Sequence, residues 1–188
     1  QALNKLNPEK YLDDPNEHIR TWAIRLMMDG QPIDTLLGPK EKGLPTTNPK
    51  LVQKLVQQAR VDSSGLVRLT LASALQRLPI SLRRELAKGL ASRQEDANDH
   101  NLPMIVWAGI TPMVENDPDG LLAIARSSQW PVLRTWIARA ITERSKEQPM
   151  VFHSLLDLIV EQPNHAESLL AGIERAVLGI KGFLKPAK

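Results

Sequence analysis

Cysteine is absent from the 188 residues of this chain. That excludes disulfides, thiolate zinc sites, iron–sulfur clusters and a covalently attached c-type haem within it. Aromatic residues make up only 4%, a supply that suits helices packed through Leu, Ile, Val and Ala better than a β-sandwich. No stretch alternates apolar and polar residues at strand length, and no Asn-Gly or Asp-Gly hairpin joins strand-like runs. No apolar run approaches the roughly 20 residues needed to span a bilayer, and no signal-peptide pattern opens the sequence. Cationic excess is slight, at +3, far short of the dense positive surface of a dedicated nucleic-acid binder. Catalytic signatures are missing too: no Gly-x-Ser-x-Gly elbow, no glycine loop to cradle phosphates and no Cys nucleophile. The chain begins at Gln1 without a Met and reads as a segment of something longer.

What is present is a repeat. Short polar caps at Asp14, Asp62, Asp99, Ser128 and Asn164 are each followed, five residues on, by an apolar residue: Ile19, Val67, Met104, Leu133 and Leu169. Counting on by four, seven and eight gives Ala23, Leu26 and Met27, then Leu71, Ala74 and Leu75. The fourth and fifth copies give Ile137, Ala140 and Ile141, then Ile173, Ala176 and Val177. These offsets form one stripe of an α-helix, and Ser, Thr, Asp or Asn in front satisfies its free N–H groups. The third copy continues through Ala108, Thr111 and Pro112, where proline must end or kink the helix. Arg20, Arg68 and Arg134 share the position after the apolar reference, and Trp22, Trp107 and Trp136 lie three past it. The fragments "IRTWAIRLM" and "LRTWIARAI" can be laid over each other.

Between the combs lie partner helices with their own start signals. Asn48-Pro49, Ser81, Asp117-Pro118 and Gln148-Pro149 each precede an apolar-periodic stretch, and proline at a first helical position loses nothing. The predicted fold is all-α, an α-α superhelix of HEAT or ARM type, forming one domain. Its helical pairs fall at about 1–29, 48–78, 81–115, 118–146 and 149–180. The comb references are 48, 37, 29 and 36 residues apart, against the roughly 35 to 45 that two antiparallel helices need. The long step holds a Gly- and Pro-rich insertion, 30–48, predicted as an exposed loop. The 29-residue step implies a short partner helix from Pro118 to about Ser127. The last residues, Gly179 to Lys188, read as a fading helix and a basic linker.

Several residues carry competing readings. Glu95, Asp96, Asp99 and His100 could hold a hard metal, but Asp99 falls at the shared cap offset, which makes a solvated turn the better reading. His18, His153 and His165 show no ligand spacing, so no metal or cofactor is assigned. Trp22, Trp107 and Trp136 could form a stacking ladder for bases or sugars, but the offset borders the buried stripe and favours packing between repeats. Arg20, Arg25, Arg68, Arg134 and Arg139 could make a cationic ridge that grips an acidic partner or phosphates. The position of Arg20, Arg68 and Arg134 equally suits a salt bridge to the Asp of an adjoining cap loop.

The stretch "DSSGLVRLTLASAL", Asp62 to Leu75, resembles the second helix of a HEAT repeat. A closer resemblance runs from "DDPNEHIRTWAIRLMMD" to "LLAGIERAVLGIKG" and includes "VRLTLASALQRLP" and "EDANDHNLPMIVW", with Asp99-His100-Asn101-Leu102-Pro103 and Trp107 its most specific part. These resemble the helical-repeat region of large planctomycete and verrucomicrobial proteins described as membrane-bound dehydrogenases with a haem-binding domain. Such proteins join a sugar-dehydrogenase-like propeller, HEAT-type repeats and a c-type cytochrome bearing Cys-x-x-Cys-His. The resemblance implies an exported setting, with neighbouring domains of a parent chain or another protein as partners. Neither propeller motif nor Cys-x-x-Cys-His is present, so no dehydrogenase or haem chemistry carries over. The expectation is a non-catalytic scaffold or spacer module. The alternatives are a HEAT-type nucleic-acid binder and an enzyme of the solenoid DNA glycosylase kind.

Overall fold

The computed structural model describes residues 7–29, 31, 33 and 49–179. Among these there is no strand, and helices account for about four-fifths of the residues. They are α1 (Glu17–Met28), α2 (Pro49–Val61), α3 (Gly65–Ala74), α4 (Ile80–Ala91) and α5 (Leu102–Ile110), followed by α6 (Met113–Asn116), α7 (Pro118–Ser127), α8 (Pro131–Glu143), α9 (Pro149–Glu161) and α10 (Ala166–Gly179). The expected insertion loop at 30–48 and the basic tail after Gly179 lie outside the described residues, apart from isolated positions. No described helix is long and apolar enough to cross a membrane.

The helices form two rows. In one, α2 packs on α4, α4 on α7, and α7 on α9; in the other, α1 packs on α3, α3 on α5, α5 on α8, and α8 on α10. The rows meet through α2 with α3, α4 with α5, α7 with α8 and α9 with α10. Between them lies one continuous apolar cluster that includes Leu55, Leu71, Leu75, Leu86, Val106, Leu121 and Ile137, all with no exposed surface. Truncating any one of these large side chains to Ala removes both its transfer energy and its neighbours' contacts, about 2–5 kcal/mol.

Helix entries follow local chemistry. Prolines open α2, α7, α8 and α9, where a missing N–H costs nothing. The cap residues read from the sequence sit two positions ahead of the true N-caps. Asp14, Asp62, Asp99 and Ser128 each accept the N–H two residues on, from Asn16, Ser64, Asn101 and Trp130 at 2.8 to 3.0 Å. Asn16 and Ser64 then cap α1 and α3. Such short polar side chains stabilise turns by mimicking a backbone carbonyl. Asn164 makes no such turn; Pro163–His165 is a short 3₁₀ helix instead. The helix expected to start at Ser81 begins at Ile80, with Pro79 ahead of it.

The third comb is the largest correction. Met104, its expected reference, is 56% exposed, whereas Leu102, Val106, Gly109 and Ile110 are buried. The true stripe lies two residues earlier, so α5 is rolled relative to the expectation. The physical reason is that α5 is apolar nearly all round, so its own period cannot choose the face. The Met104 stripe would bury Thr111 and Pro112, and the Leu102 stripe avoids both. The helix ends at Ile110, just before Pro112, as the proline demands.

Candidate functional site

Counting from the references Ile19, Val67, Leu102, Leu133 and Leu169, of which all but Ile19 are buried, three further offsets define how the second row is joined. At +1 stand Arg20, Arg68, Pro103, Arg134 and Leu170. At +3 stand Trp22, Thr70, Ile105, Trp136 and Gly172, and at +5 Ile24, Ala72, Trp107, Ala138 and Glu174.

The +1 arginines are handed from one copy to the next. Arg20 donates Nε and Nη2 to the two carboxylate oxygens of Asp62, both at 2.8 Å. Arg68 does the same to Asp96 at 2.5 and 2.7 Å. Arg134 meets the hydroxyl of Ser168 at 2.8 Å. Each guanidinium also donates Nη1 to a carbonyl six residues upstream in its own turn, that of Asp14, Asp62 or Ser128, at 2.6 to 2.8 Å. The fork geometry of Arg suits this bidentate reach, and a Lys could not reproduce it. The carboxylate hydrogen bonds raise the pKa of Arg20 and Arg68. Burial without a carboxylate lowers that of Arg134.

The position of Arg68's acceptor also corrects the sequence reading. Asp99 is exposed and receives the N–H groups of Asn101 and Leu102, which hold its carboxyl below the usual range. Asp96, in the 3₁₀ turn Gln94–Asp96, takes the inter-copy ion pair. Glu95 lies on the outside, bound by Arg93. No group of three or more acidic, His or Cys side chains with metal-binding geometry occurs among the described residues.

At two joints the +3 position of one helix meets the +5 position of the helix before it: Gly172 against Ala138 and Trp136 against Trp107. A Cβ on Gly172 would fall 2.4 Å from the carbonyl oxygen of Thr135 and 2.7 Å from Cβ of Ala138. Trp136 meets Trp107 with ring centroids 6.2 Å apart, planes tilted by 44°. The three tryptophans therefore do not occupy one position: Trp107 at +5 meets Trp136 at +3 of the next helix, and Trp22 borders both the groove along α1 and α3 and a hollow with Pro8 and Tyr11. Trp22 is 58% exposed, so the expectation that it packs between repeats fails, because only the 3₁₀ turn Pro8–Tyr11, and no described α-helix, precedes α1. Gly172 lets α10 lie against the backbone of α8, whereas Trp136 and Trp107 place two indoles between α5 and α8.

The remaining candidate arginines point outward. Arg25 lies over the Trp22 ring at 5.4 Å, and Arg139 pairs with Glu143 on its own helix. A groove of about 380 Å³ runs along α1 and α3, lined among others by Trp22, Arg25, Leu69, Ser73 and Arg77. Asp29 also lines it, 74% exposed at its side chain and 3.9 Å from Arg77.

Three structural residues escaped the sequence reading. Trp130 is fully buried, its indole N–H donating to the carbonyl of Arg93 at 2.7 Å. Together with the Gln129 N–H on the Ala91 carbonyl, it ties the entry of α8 to the end of α4. Arg83 is fully buried and reaches the carbonyls of Leu78 and Gly109 at 2.9 and 2.7 Å. Its spacing from Leu86, Ala87 and Leu90 could have placed it on the inner face of α4. Ser168, the acceptor for Arg134, carries no sequence signal of that role.

No protein-family model, no curated protein and no solved structure matches this chain.

Proposed function

We propose that the chain is a right-handed α-α superhelix of about five HEAT-like pairs, serving as a non-catalytic scaffold or docking spacer. Its setting, on the resemblance described above, is a larger exported protein with dehydrogenase and cytochrome domains, whose separation it would hold. The observation that carries this reading is the arginine hand-off between successive helices of the second row. Three of the five arginines that could have gripped phosphates are committed to it, with Arg68 and Arg134 only 4% and 6% exposed. Directional, bidentate bonds between copies favour a fixed stacking geometry over a pliable one. The first row adds pairs of the same sense, the exposed Arg60 with Glu85 and Arg126 with Glu161 and the partly buried Arg84 with Asp117.

Because the chain has no native cysteine, spin labels can be placed cleanly at Asp13→Cys and Glu174→Cys. A spacer gives one narrow distance distribution between them by pulsed electron resonance. A broad or multimodal distribution would sink the reading. Oligonucleotide binding is measured in parallel: tight binding that weakens steeply with salt would favour a nucleic-acid interface on Arg25 and Arg139 instead.

A further inference from the structure

The outward face of α1 is built as a repeat interface whose other half is missing from the described residues. Positions 0, +3 and +7 are well covered in α3, where Val67, Thr70 and Ala74 are at most 7% exposed. The same offsets in α10, Leu169, Gly172 and Ala176, are likewise buried. In α1 they are Ile19, Trp22 and Leu26, with Ile19 and Trp22 at 41% and 58%. These residues line an apolar hollow of about 240 Å³ with Pro8 and Tyr11.

The polar half of the interface is there as well. Asp14 holds the place in its turn that Asp62 holds in the next: Oδ1 of each accepts the N–H two residues on. Asp62 then receives Arg20 from the preceding copy. No described side chain donates to the carboxylate of Asp14. The opposite end of the row is different. At +1 it offers Leu170, 51% exposed, in place of an arginine, and at +5 it offers the exposed Glu174 in place of an apolar side chain.

The geometry points to the α1 face as a docking site for one more α-helical pair of the same kind, presenting an arginine to Asp14 and an apolar +5 side chain to Trp22. This inference rests on the stacked-array reading and adds a direction to it: partners dock at the α1 end. A second copy joined head to tail does not fit, because its α10 would set Leu170 against Asp14 and Glu174 against Trp22.

The test supplies the missing half from the chain itself. A duplicate of residues 49–78, which contains Arg68 and Ala72 but no tryptophan, is fused ahead of Gln1 of the full chain through a short Gly/Ser linker. The Trp22 indole signal, assigned by its loss in Trp22→Phe, is followed by solvent paramagnetic relaxation. Docking lowers its solvent relaxation several-fold. Asp14→Asn, which keeps the turn acceptor but removes the charge, restores exposure in the fused chain and lowers its unfolding midpoint, as does Arg68→Ala in the duplicate. Neither readout changes when Asp14→Asn is made in the unfused chain. An unchanged Trp22 signal on fusion overturns the inference, as does an equal effect of Asp14→Asn in both chains. A concentration-dependent dimer of the unfused chain that buries Trp22 also overturns it. The distance measurement on the unfused chain tests the spacer reading separately, so the two can fail independently.

Discussion

Arg68 and Asp96 face each other through two parallel N–H···O bonds, with side chains only 5% and 9% exposed. Removing one partner of such a buried pair strands the other charge, at a cost of about 3–5 kcal/mol. Arg68→Ala is therefore expected to lower denaturant stability by an amount in that range. Arg139→Ala, on an exposed helical pair, changes it by less than about 0.5 kcal/mol. Equal losses in chemical denaturation would remove the inter-copy pair from its structural role.

Arg134 is the rung whose acceptor is neutral. Ser168→Asp would give it a carboxylate, in the first turn of α10 where negative charge is also favoured. The expected gain is about 1–2 kcal/mol, since hydrogen bonds between charged groups exceed neutral ones. Arg134→Gln made together with Ser168→Asp cancels that gain. A Ser168→Asp chain that melts no higher than the parent contradicts the assignment.

Gly172 allows α10 to lie against the backbone of α8. Gly172→Ala forces a Cβ into contact with Thr135 and Ala138 and should cost about 1–3 kcal/mol. Gly179→Ala has nothing within 4 Å of its added carbon, so it leaves stability within about 1 kcal/mol. The paired melting curves decide whether close approach, and not glycine's flexibility, matters at 172.

Two tryptophans at the same offset should respond differently to truncation. Trp136→Ala removes a half-buried ring that packs on Trp107 and is expected to cost about 3 kcal/mol or more. Trp22→Ala touches a ring open to solvent and costs less than about 1 kcal/mol. Similar losses would mean that Trp22 is covered in solution.

His165 has its pKa lowered, first by burial and then by the nearby positive charge of Arg134. The unfolded chain therefore binds a proton at higher pH than the folded one. The contribution is complete above the unfolded value near 6.5 and is lost as pH falls below it, through the lower folded value. His165→Asn should flatten that part of the stability profile. If the parent and variant profiles remain parallel between pH 7 and 5, His165 is not the group responsible.

Much of the helical frame was legible because its signals are local. Proline at helix starts, Pro112 at a stop and the 29-residue step that implies α7 all act within a few residues. The candidate site was legible in part. The spacing of Arg20 and Arg68 suggested a salt bridge to a neighbouring cap aspartate, and Asp62 takes that role. Asp96 was hidden because the loop after α4 is longer than its equivalents, so the offset pointed to Asp99. The roll of α5 could not be read from a segment that is greasy on every side. Trp22 was misjudged because its offset is buried only when another helix precedes it, which is a property of neighbours and not of the segment.

The residue at +3 works as a shim. Glycine at 172 lets the backbone of α10 lie against that of α8, whereas tryptophan at 136 sets an indole on the Trp107 ring between α5 and α8. Because the arginine lies on a different offset, the two vary separately: the α5–α8 joint has Pro103 at +1 and no arginine, and the α8–α10 joint closes Arg134 on Ser168 beside its glycine. How neighbouring helices of the second row approach is thereby written in single side chains, open to adjustment by substitution without redrawing the rest.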